Sequence, residues 1–474
     1  MARKKALIAN EWVDSKETIT VRSPFTGDVV GEVARAGPEE LERAVQASVR
    51  AFEETRKLSS ARRSEILKQT AAGILRRKEE LARTITLENA KPIRLSRAEV
   101  DRAVATFTIA SEEAKRIGGE VLPLDLSSAT EGRLGITRRL PLGPIFAISP
   151  FNFPLNLVAH KVAPAIAAGN SVVLKPASST PQTALMLGEI LLDSGMPAGM
   201  VNVVPCSATL ADRLVGDDRF KLVTFTGSPA VGWDLKRKAG KKRVTLELGG
   251  NAAVVVHEDA DLDLAVERSV QGAFAFSGQV CISVQRIYLH EKIADAFTRK
   301  FLERSGKLVL GDPLDEKTEI GPMIDEGALQ KTQEWVEEAA RGGAKVHLGG
   351  KRDGRFFPPT VLEDVKPQMK VHCQEAFAPL VNLYRYRDFP EALQRVNDSP
   401  FGLQAGVFTR DVGRAFQAFE TLEVGGVILN EAPTWRADHM PYGGEKDSGF
   451  GREGVRYAIE EMTVLRILAL NLRS

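Results

Sequence analysis

Ile145-Phe-Ala-Ile148 is followed along the chain by Ser171-Val-Val-Leu174, Val201-Asn-Val-Val204, Leu222-Val-Thr-Phe225 and Val244-Thr-Leu246. These runs are apolar at nearly every position instead of every second one, which is the pattern of a strand buried on both faces. The segments between them have helical character near 155–167, 182–193, 207–215 and 229–238. Such β-α alternation predicts an α/β protein with a parallel sheet covered on both sides, and ligands at the carboxyl edge of that sheet. A second series begins at Ala252–Val256, with helices near 261–274 and 291–305 and a strand near 286–289, and predicts a second α/β domain.

Outward from this core the chain changes character. Pro38 opens a helical pattern with Leu41, Ala44, Val45, Val49 and Phe52 on one face. A second helix is expected over 62–89, with Pro92 just past its end. Residues 133–139 alternate like a strand, and 463–472 form an apolar terminal strand that a lone subunit would have to hide; both are expected at a subunit interface. From Leu140 to Ala159 no residue is charged, but Pro141, Pro144, Pro150, Pro154, Asn152 and Asn156 interrupt what would otherwise suggest a membrane span. A buried strand, loop and helix are expected there.

At 474 residues the chain has room for two or three domains of roughly 150 residues each. Lys and Arg total 64 against 62 Asp and Glu, so no basic field exists to draw nucleic acid or an anionic membrane. Cys206, Cys281 and Cys373 are too few for a disulfide framework or a four-cysteine zinc site, and point to a reducing, cytoplasmic setting. After Met1-Ala-Arg-Lys-Lys5 the apolar stretch covers only residues 6–9, too short for a secretion signal. The six histidines show no His-x-x-His spacing, so no catalytic metal is expected.

Several segments carry chemistry. Gly449-Phe-Gly-Arg-Glu-Gly454 matches a dinucleotide fingerprint literally, but it follows Asp447 and Ser448 instead of a strand, and reads as a tight turn. Phe225-Thr-Gly-Ser228 ends an apolar run and opens a helix, where free backbone N–H groups would face an anion; the plain alternative is an N-cap serine. Lys175 ends a strand and brings its ammonium to the ligand edge. Glu247, after Val244-Thr-Leu246 and before Gly249-Gly250, sits at the same edge. Three further segments stand out: Pro150-Phe-Asn-Phe-Pro154, Ser277-Gly-Gln-Val-Cys281 and Glu375-Ala-Phe-Ala-Pro379.

In this order, and with Gly425-Gly-Val-Ile-Leu-Asn430 and Gly443-Gly-Glu-Lys-Asp-Ser-Gly449 after them, the segments resemble the NAD(P)-dependent aldehyde dehydrogenase superfamily over nearly the whole chain. The resemblance implies a Rossmann-type cofactor domain (1–122 and 142–249), an α/β catalytic domain (250–446) and a small β bridging element (123–141 and 461–474) that makes a homodimer or homotetramer. It implies oxidation of an aldehyde to an acid through a cysteine thiohemiacetal and thioester, with Cys281 as nucleophile, Asn152 as oxyanion donor and Glu247 as the base that activates water. For NAD or NADP it implies Lys175 and Ser178 at the adenosine ribose, Gly227 and Ser228 at the pyrophosphate, Glu375 and Phe377 at the nicotinamide half, and Phe151, Phe225, Val231 and Leu248 along the cleft. Two departures matter. Ser178 stands where many NAD-favouring members carry a glutamate that repels a 2′-phosphate, which leaves both coenzymes open; Ala378 replaces a glycine and is expected to restrict the loop slightly.

The free thiol must be activated, since an ordinary cysteine has a pKa of about 8.5. Other outcomes for Cys281 are a CoA-acylating semialdehyde dehydrogenase, a cysteine hydrolase working without nucleotide, and a non-catalytic relative. Arg436 and His439, just before the Gly443-Gly444 loop, are candidates to bind a hydroxyl, carboxylate or phosphate on a small polar aldehyde of the lactaldehyde or semialdehyde kind. The alternative for Arg436 is an ion pair at a subunit contact.

Overall fold

A computed structural model describes residues 3–473. Its first sheet has eight strands in the order Glu11–Val13, Ala6–Ile8, Val201–Val203, Val172–Lys175, Ile145–Ile148, Leu222–Thr226, Arg243–Glu247 and Gly449–Phe450. The five inner strands run parallel. Counted in chain order from Ile145–Ile148 they lie 3-2-1-4-5, so the direction of winding reverses beside Ile145–Ile148 and a crevice opens at its carboxyl end.

The continuous apolar runs have a direct physical reason. Ile145 and Ala147 enter one hydrophobic core, while Phe146 and Ile148 enter another on the opposite face of the sheet. The second sheet repeats the device, with Ala253 and Val255 in one core and Val254 and Val256 in the other. Its seven strands run in the order Lys345–Leu348, Thr360–Glu363, Leu380–Tyr386, Val284–His290, Ala252–Val256, Gln404–Phe408 and Gly426–Leu429. Only the first pair is antiparallel.

Helices α1 (Pro38–Thr55), α2 (Ser60–Arg76), α3 (Lys78–Asn89) and α4 (Ile93–Glu113) precede the first parallel strand, and α5 (Asn156–Ala168) follows it. The single helix expected over 62–89 is in fact α2 and α3, broken at Arg77 (φ −103°, ψ 21°). The apolar period runs through the break, with Ile66, Leu67 and Ile74 before it and Leu81 and Ile85 after it all in one core, so periodicity alone could not reveal it. On α1 the buried face passes through Ser48 and Ala51, and Val49 points outward.

The uncharged stretch 140–159 contains the strand Ile145–Ile148, a loop and the start of α5; among the described residues no helix is long and apolar enough to cross a membrane. A third, antiparallel sheet joins Thr463–Asn471 to Arg133–Pro141 and Val121–Pro123. The terminal strand lies at its edge and leaves Leu465, Ile467 and Leu468 more than half exposed on the single chain. Gly449–Phe450 pairs with the end of Arg243–Glu247, and Gly451 and Gly454 take left-handed φ values of 80° and 91°. The literal fingerprint thus leads from a two-residue strand, antiparallel at the sheet's edge, through a turn to Gly454, the N-cap of the helix Val455–Glu461, so the segment does begin as a strand, contrary to the expectation from Asp447 and Ser448, but not as one of the parallel strands.

Candidate active site

The loop between Ile145–Ile148 and α5 is clamped from α3 and α4. Asn89 donates its side-chain amide to the Phe151 carbonyl at 3.0 Å, and the Lys91 ammonium donates to the Asn152 carbonyl at 2.6 Å. Lys91 also pairs with Glu99 in the interior and lies over the rings of Phe153 (3.8 Å) and Phe276 (4.7 Å). Glu99 accepts from the backbone N–H of Leu155 (2.9 Å) and Asn156 (3.2 Å), which gives the start of α5 the carboxylate that a helix N-terminus favours. So held, Asn152 is buried, donates Nδ2 to the Gln279 carbonyl at 3.1 Å and has no partner for its buried Oδ1.

Cys281 follows a 3₁₀ turn, Ala275–Gly278, in which Phe276 and Ser277 both take left-handed φ values (50° and 56°). Ser277 stabilises this turn by donating its hydroxyl to the Gly321 carbonyl at 2.6 Å. The Cys281 thiol lies 3.2 Å from the Tyr442 hydroxyl. Burial pushes its pKa up to about 12; the Tyr442 hydrogen bond opposes this, and the charges of Glu247 and Glu375 add to it. Burial and two nearby carboxylates thus outweigh the Tyr442 hydrogen bond and the charge of Arg436, and the sulfur rests as a neutral thiol.

Glu247 ends its strand opposite Thr226 and is 3% exposed. Neither carboxyl oxygen has a hydrogen-bond partner. Burial, then the charge of Glu453, raise its pKa well above the ordinary carboxylate range, against the pull of Arg436, Lys161 and Arg452. Burial also opposes ionisation of Glu453, but Lys161 at 3.1 Å and Arg436 at 3.6 Å outweigh it, so Glu453 is the ionised member of the pair. One acid stays charged, and its neighbour holds its proton to higher pH than an ordinary carboxyl does.

Two glycines bring the segments together. A Cβ on Gly250 would lie 2.2 Å from the Cys281 carbonyl oxygen, and one on Gly249 would lie 2.4 Å from Glu375 Oε2. Glu375 accepts from the Gly250 N–H at 3.0 Å; burial pushes its pKa up to about 7, opposed by that hydrogen bond and by Lys331. Phe377 meets Phe151 edge-on at 5.9 Å and takes the left-handed φ of 52°. Ala378 does not, so replacing glycine there introduces no backbone strain.

Along the first sheet's edge, Ser228 occupies the N-cap of the helix Pro229–Lys238, yet its side chain makes no capping hydrogen bond. Phe225 closes over Gly227, where a Cβ would come within 2.5 Å of its ring, and the Gly227 N–H donates to the Glu247 carbonyl at 3.0 Å. Leu248 is buried beneath Gly232, while Val231 is 48% exposed. Lys175 is buried and, among the described residues, its ammonium bonds only to the Pro176 carbonyl at 3.2 Å; burial lowers its pKa, with Cys206 opposing. Ser178 is exposed. Among the described residues no group of three or more His, Cys, Asp or Glu is arranged to hold a metal ion.

Arg436 is buried, not on a surface contact. Its guanidinium stacks 3.7 Å above the Tyr442 ring, approaches His160 at 3.4 Å, and keeps a buried Nε without a partner. His160 bonds to Asp438 at 2.8 Å, and Arg102 reaches the same carboxylate at 2.7 Å. His439 is exposed and makes none of these contacts. Sequence reasoning missed Tyr442, Glu453, Lys161 and Lys91. The signal for Lys161 was legible: it is the one Lys, Arg, Asp or Glu of α5, and it needed a buried anion. A cavity of about 650 Å³ is bounded by Lys91, Arg102, Phe153, Phe276 and Val280, the last of which precedes Cys281 in the chain.

Residues 12–468 match the Aldehyde dehydrogenase family, to which the chain belongs. It is 47% identical to the 3-sulfolactaldehyde dehydrogenase of Priestia megaterium, over 98% of this chain and 97% of that one. With the lactaldehyde dehydrogenase of Methanococcus aeolicus the identity is 38%, over 98% and 99%. The crystal structure of aldehyde dehydrogenase 21 from Physcomitrella patens, solved with the reaction product succinate, superposes with a TM-score of 0.98 at 45% identity, covering 100% of this chain and 99% of that one. The chain is an oxidoreductase of the α/β aldehyde dehydrogenase fold.

Proposed function

We propose that the chain oxidises a small aldehyde with an anionic or hydroxylated tail to the carboxylic acid, using NAD or NADP. The observation that carries this reading is the packing of Gly249 and Gly250, just after Glu247 in the chain, against Glu375 and Cys281; it suits a crevice in which Cys281 is the nucleophile, Glu247 activates water and Glu375 holds the ribose. The uncapped Ser228, the Lys175 ammonium free of any carboxylate and the absence of an acid at 178 suit a phosphorylated dinucleotide. The division into 1–122 with 142–249, 250–446, and 123–141 with 461–474 goes with this proposal, as does assembly of two or four copies through the exposed terminal strand.

When bound, the nicotinamide accepts hydride. The chain's own residues do the rest. Cys281 Sγ bonds the carbonyl carbon as its proton passes to solvent water. Asn152 Nδ2 and the Cys281 N–H donate to the resulting oxyanion, each stabilising the transition state by about 3 kcal/mol. Loss of hydride from that carbon leaves a thioester on Cys281. Glu247 then takes a proton from water, whose oxygen attacks the thioester; the carbon–sulfur bond breaks, the acid leaves, and Glu247 returns its proton to the sulfur.

Arg436 supports the choice of tail, since its buried Nε has no partner and its guanidinium stacks on the ring of Tyr442, whose hydroxyl meets the Cys281 thiol at 3.2 Å. Assayed with both coenzymes, lactaldehyde, 3-sulfolactaldehyde and succinic semialdehyde are expected to outpace propanal. Arg436→Leu is expected to lower kcat/KM for the anionic aldehydes about 100-fold and leave propanal little changed. Unchanged relative rates would remove Arg436 from substrate recognition.

Lys91 acts through Asn152. Lys91→Met frees the Asn152 carbonyl and is expected to lower kcat about 100-fold with KM for coenzyme unchanged, because displacement of an oxyanion donor by about an ångström has that effect. Steady-state kinetics with a wild-type circular dichroism spectrum as control checks it, and an undiminished kcat would dismiss the clamp.

A further inference from the structure

A second concentration of positive charge lies where the start of α2 meets the strand Arg133–Pro141. We propose that the cavity there, about 440 Å³, binds a small oxyanion carrying two or more negative charges, of the phosphate or pyrophosphate type. Arg56, Lys57, Arg63, Arg138 and Arg139 line it, and no aspartate or glutamate does. Among the described residues only Arg56 of these five has a carboxylate partner, Glu53 at 3.7 Å. Four cations facing one another without a counter-ion repel, and a bound polyanion removes that repulsion.

The hydrogen-bonding groups suit the ligand as well as the charge does. Arg63 donates to the Ala167 carbonyl at 2.7 Å and to Ser60 Oγ at 3.2 Å, while its buried Nε has no partner. Burial, then the charge of Arg138, draw its pKa down. The first turn of α2 contains Arg62 and Arg63 and no acidic residue, so its dipole also lacks an anion. Guanidinium forks pair with oxyanions through two parallel hydrogen bonds. Arg139 meanwhile donates to the Glu460 carbonyl at 3.4 Å and to Thr463 Oγ1 at 3.3 Å, so an anion here braces α2 against the root of the terminal strand.

The test is thermal unfolding and calorimetric titration of the full chain with sodium pyrophosphate, phosphate and chloride at matched ionic strength. Saturable stabilisation is expected, in the order pyrophosphate, phosphate, chloride. The double variant Arg63→Gln/Arg138→Gln is expected to bind pyrophosphate at least about tenfold more weakly. Without polyanion it should be no less stable than wild type, which a merely structural arginine pair would not allow. Should it fold poorly, Lys57→Gln/Arg138→Gln replaces two exposed cations and tests the same point. Arg436→Leu and Lys175→Met should retain the effect, which separates this cavity from the Cys281 crevice. Equal stabilisation of wild type and double variant would overturn the proposal. So would an unresponsive wild type whose sedimentation mass falls on mutation, because carboxylates of a second copy would then close the cavity.

Discussion

Cys281→Ala is expected to lower aldehyde oxidation by at least about four orders of magnitude while the fold and coenzyme binding persist. No other described sulfur can substitute: Cys206 is buried beside Lys175, and Cys373 lies beyond Gln368 with its thiol 4.0 Å from that residue's carbonyl. Without a thioester there is no burst of reduced coenzyme, so rapid mixing should give a flat trace. The wild type carries a related signature. With burial pushing the thiol pKa up to about 12, the thiolate fraction rises about tenfold per pH unit below that value. Alkylation of Cys281 by iodoacetamide in coenzyme-free protein should therefore be slow at neutral pH and accelerate across the whole accessible alkaline range. Rapid, pH-independent alkylation, or acid production by the alanine variant, would remove the sulfur from the reaction.

Glu247→Gln is expected to separate the two half-reactions. The burst should survive, because Cys281 can still bond the carbonyl carbon, whereas steady-state turnover should fall about 100- to 1,000-fold for want of a base to take the proton from water. The sign of the pH effect follows from burial. Folding raises the Glu247 pKa, so its basic form is scarce at low pH and fills in as pH climbs through the raised value. Wild-type kcat should rise over that interval and level off above it. The glutamine variant should lose this limb, and a retained limb would assign the titration to another group. A buried carboxyl without hydrogen-bond partners also argues for hydrolysis over transfer to a thiol, and adding coenzyme A should leave turnover unchanged.

Strand positions were readable because Ile145–Ile148 and Ala252–Val256 send successive side chains into opposite cores, which leaves no polar alternation to confuse the pattern. The break at Arg77 was not readable, because a kink that preserves the apolar phase leaves no trace in periodicity. Within the crevice, residues flanked by glycine or proline stood out: Asn152, Glu247, Cys281 and Glu375. Their electrostatic setting did not, because it is assembled from distant parts of the chain. Lys161 and Glu453 are 292 positions apart, and Arg102 and Asp438 are 336 apart. No local pattern links them. The resemblance named the family at once, yet it gave no hint that Arg436 would stack on Tyr442 or that the thiol would rest protonated. The cationic cavity at α2 escaped for the same reason, since Lys57 and Arg138 look in sequence like ordinary surface charges.

The two small residues after Leu248 have a genetic consequence. A single added carbon at either site would displace backbone or a carboxyl that touches the reacting groups, although neither site contributes a functional group of its own. Random mutagenesis should find codons 249 and 250 intolerant of every missense change, including the conservative step to alanine. The resulting proteins should be expressed and folded but inert, an outcome that a survey of functional groups alone would not anticipate.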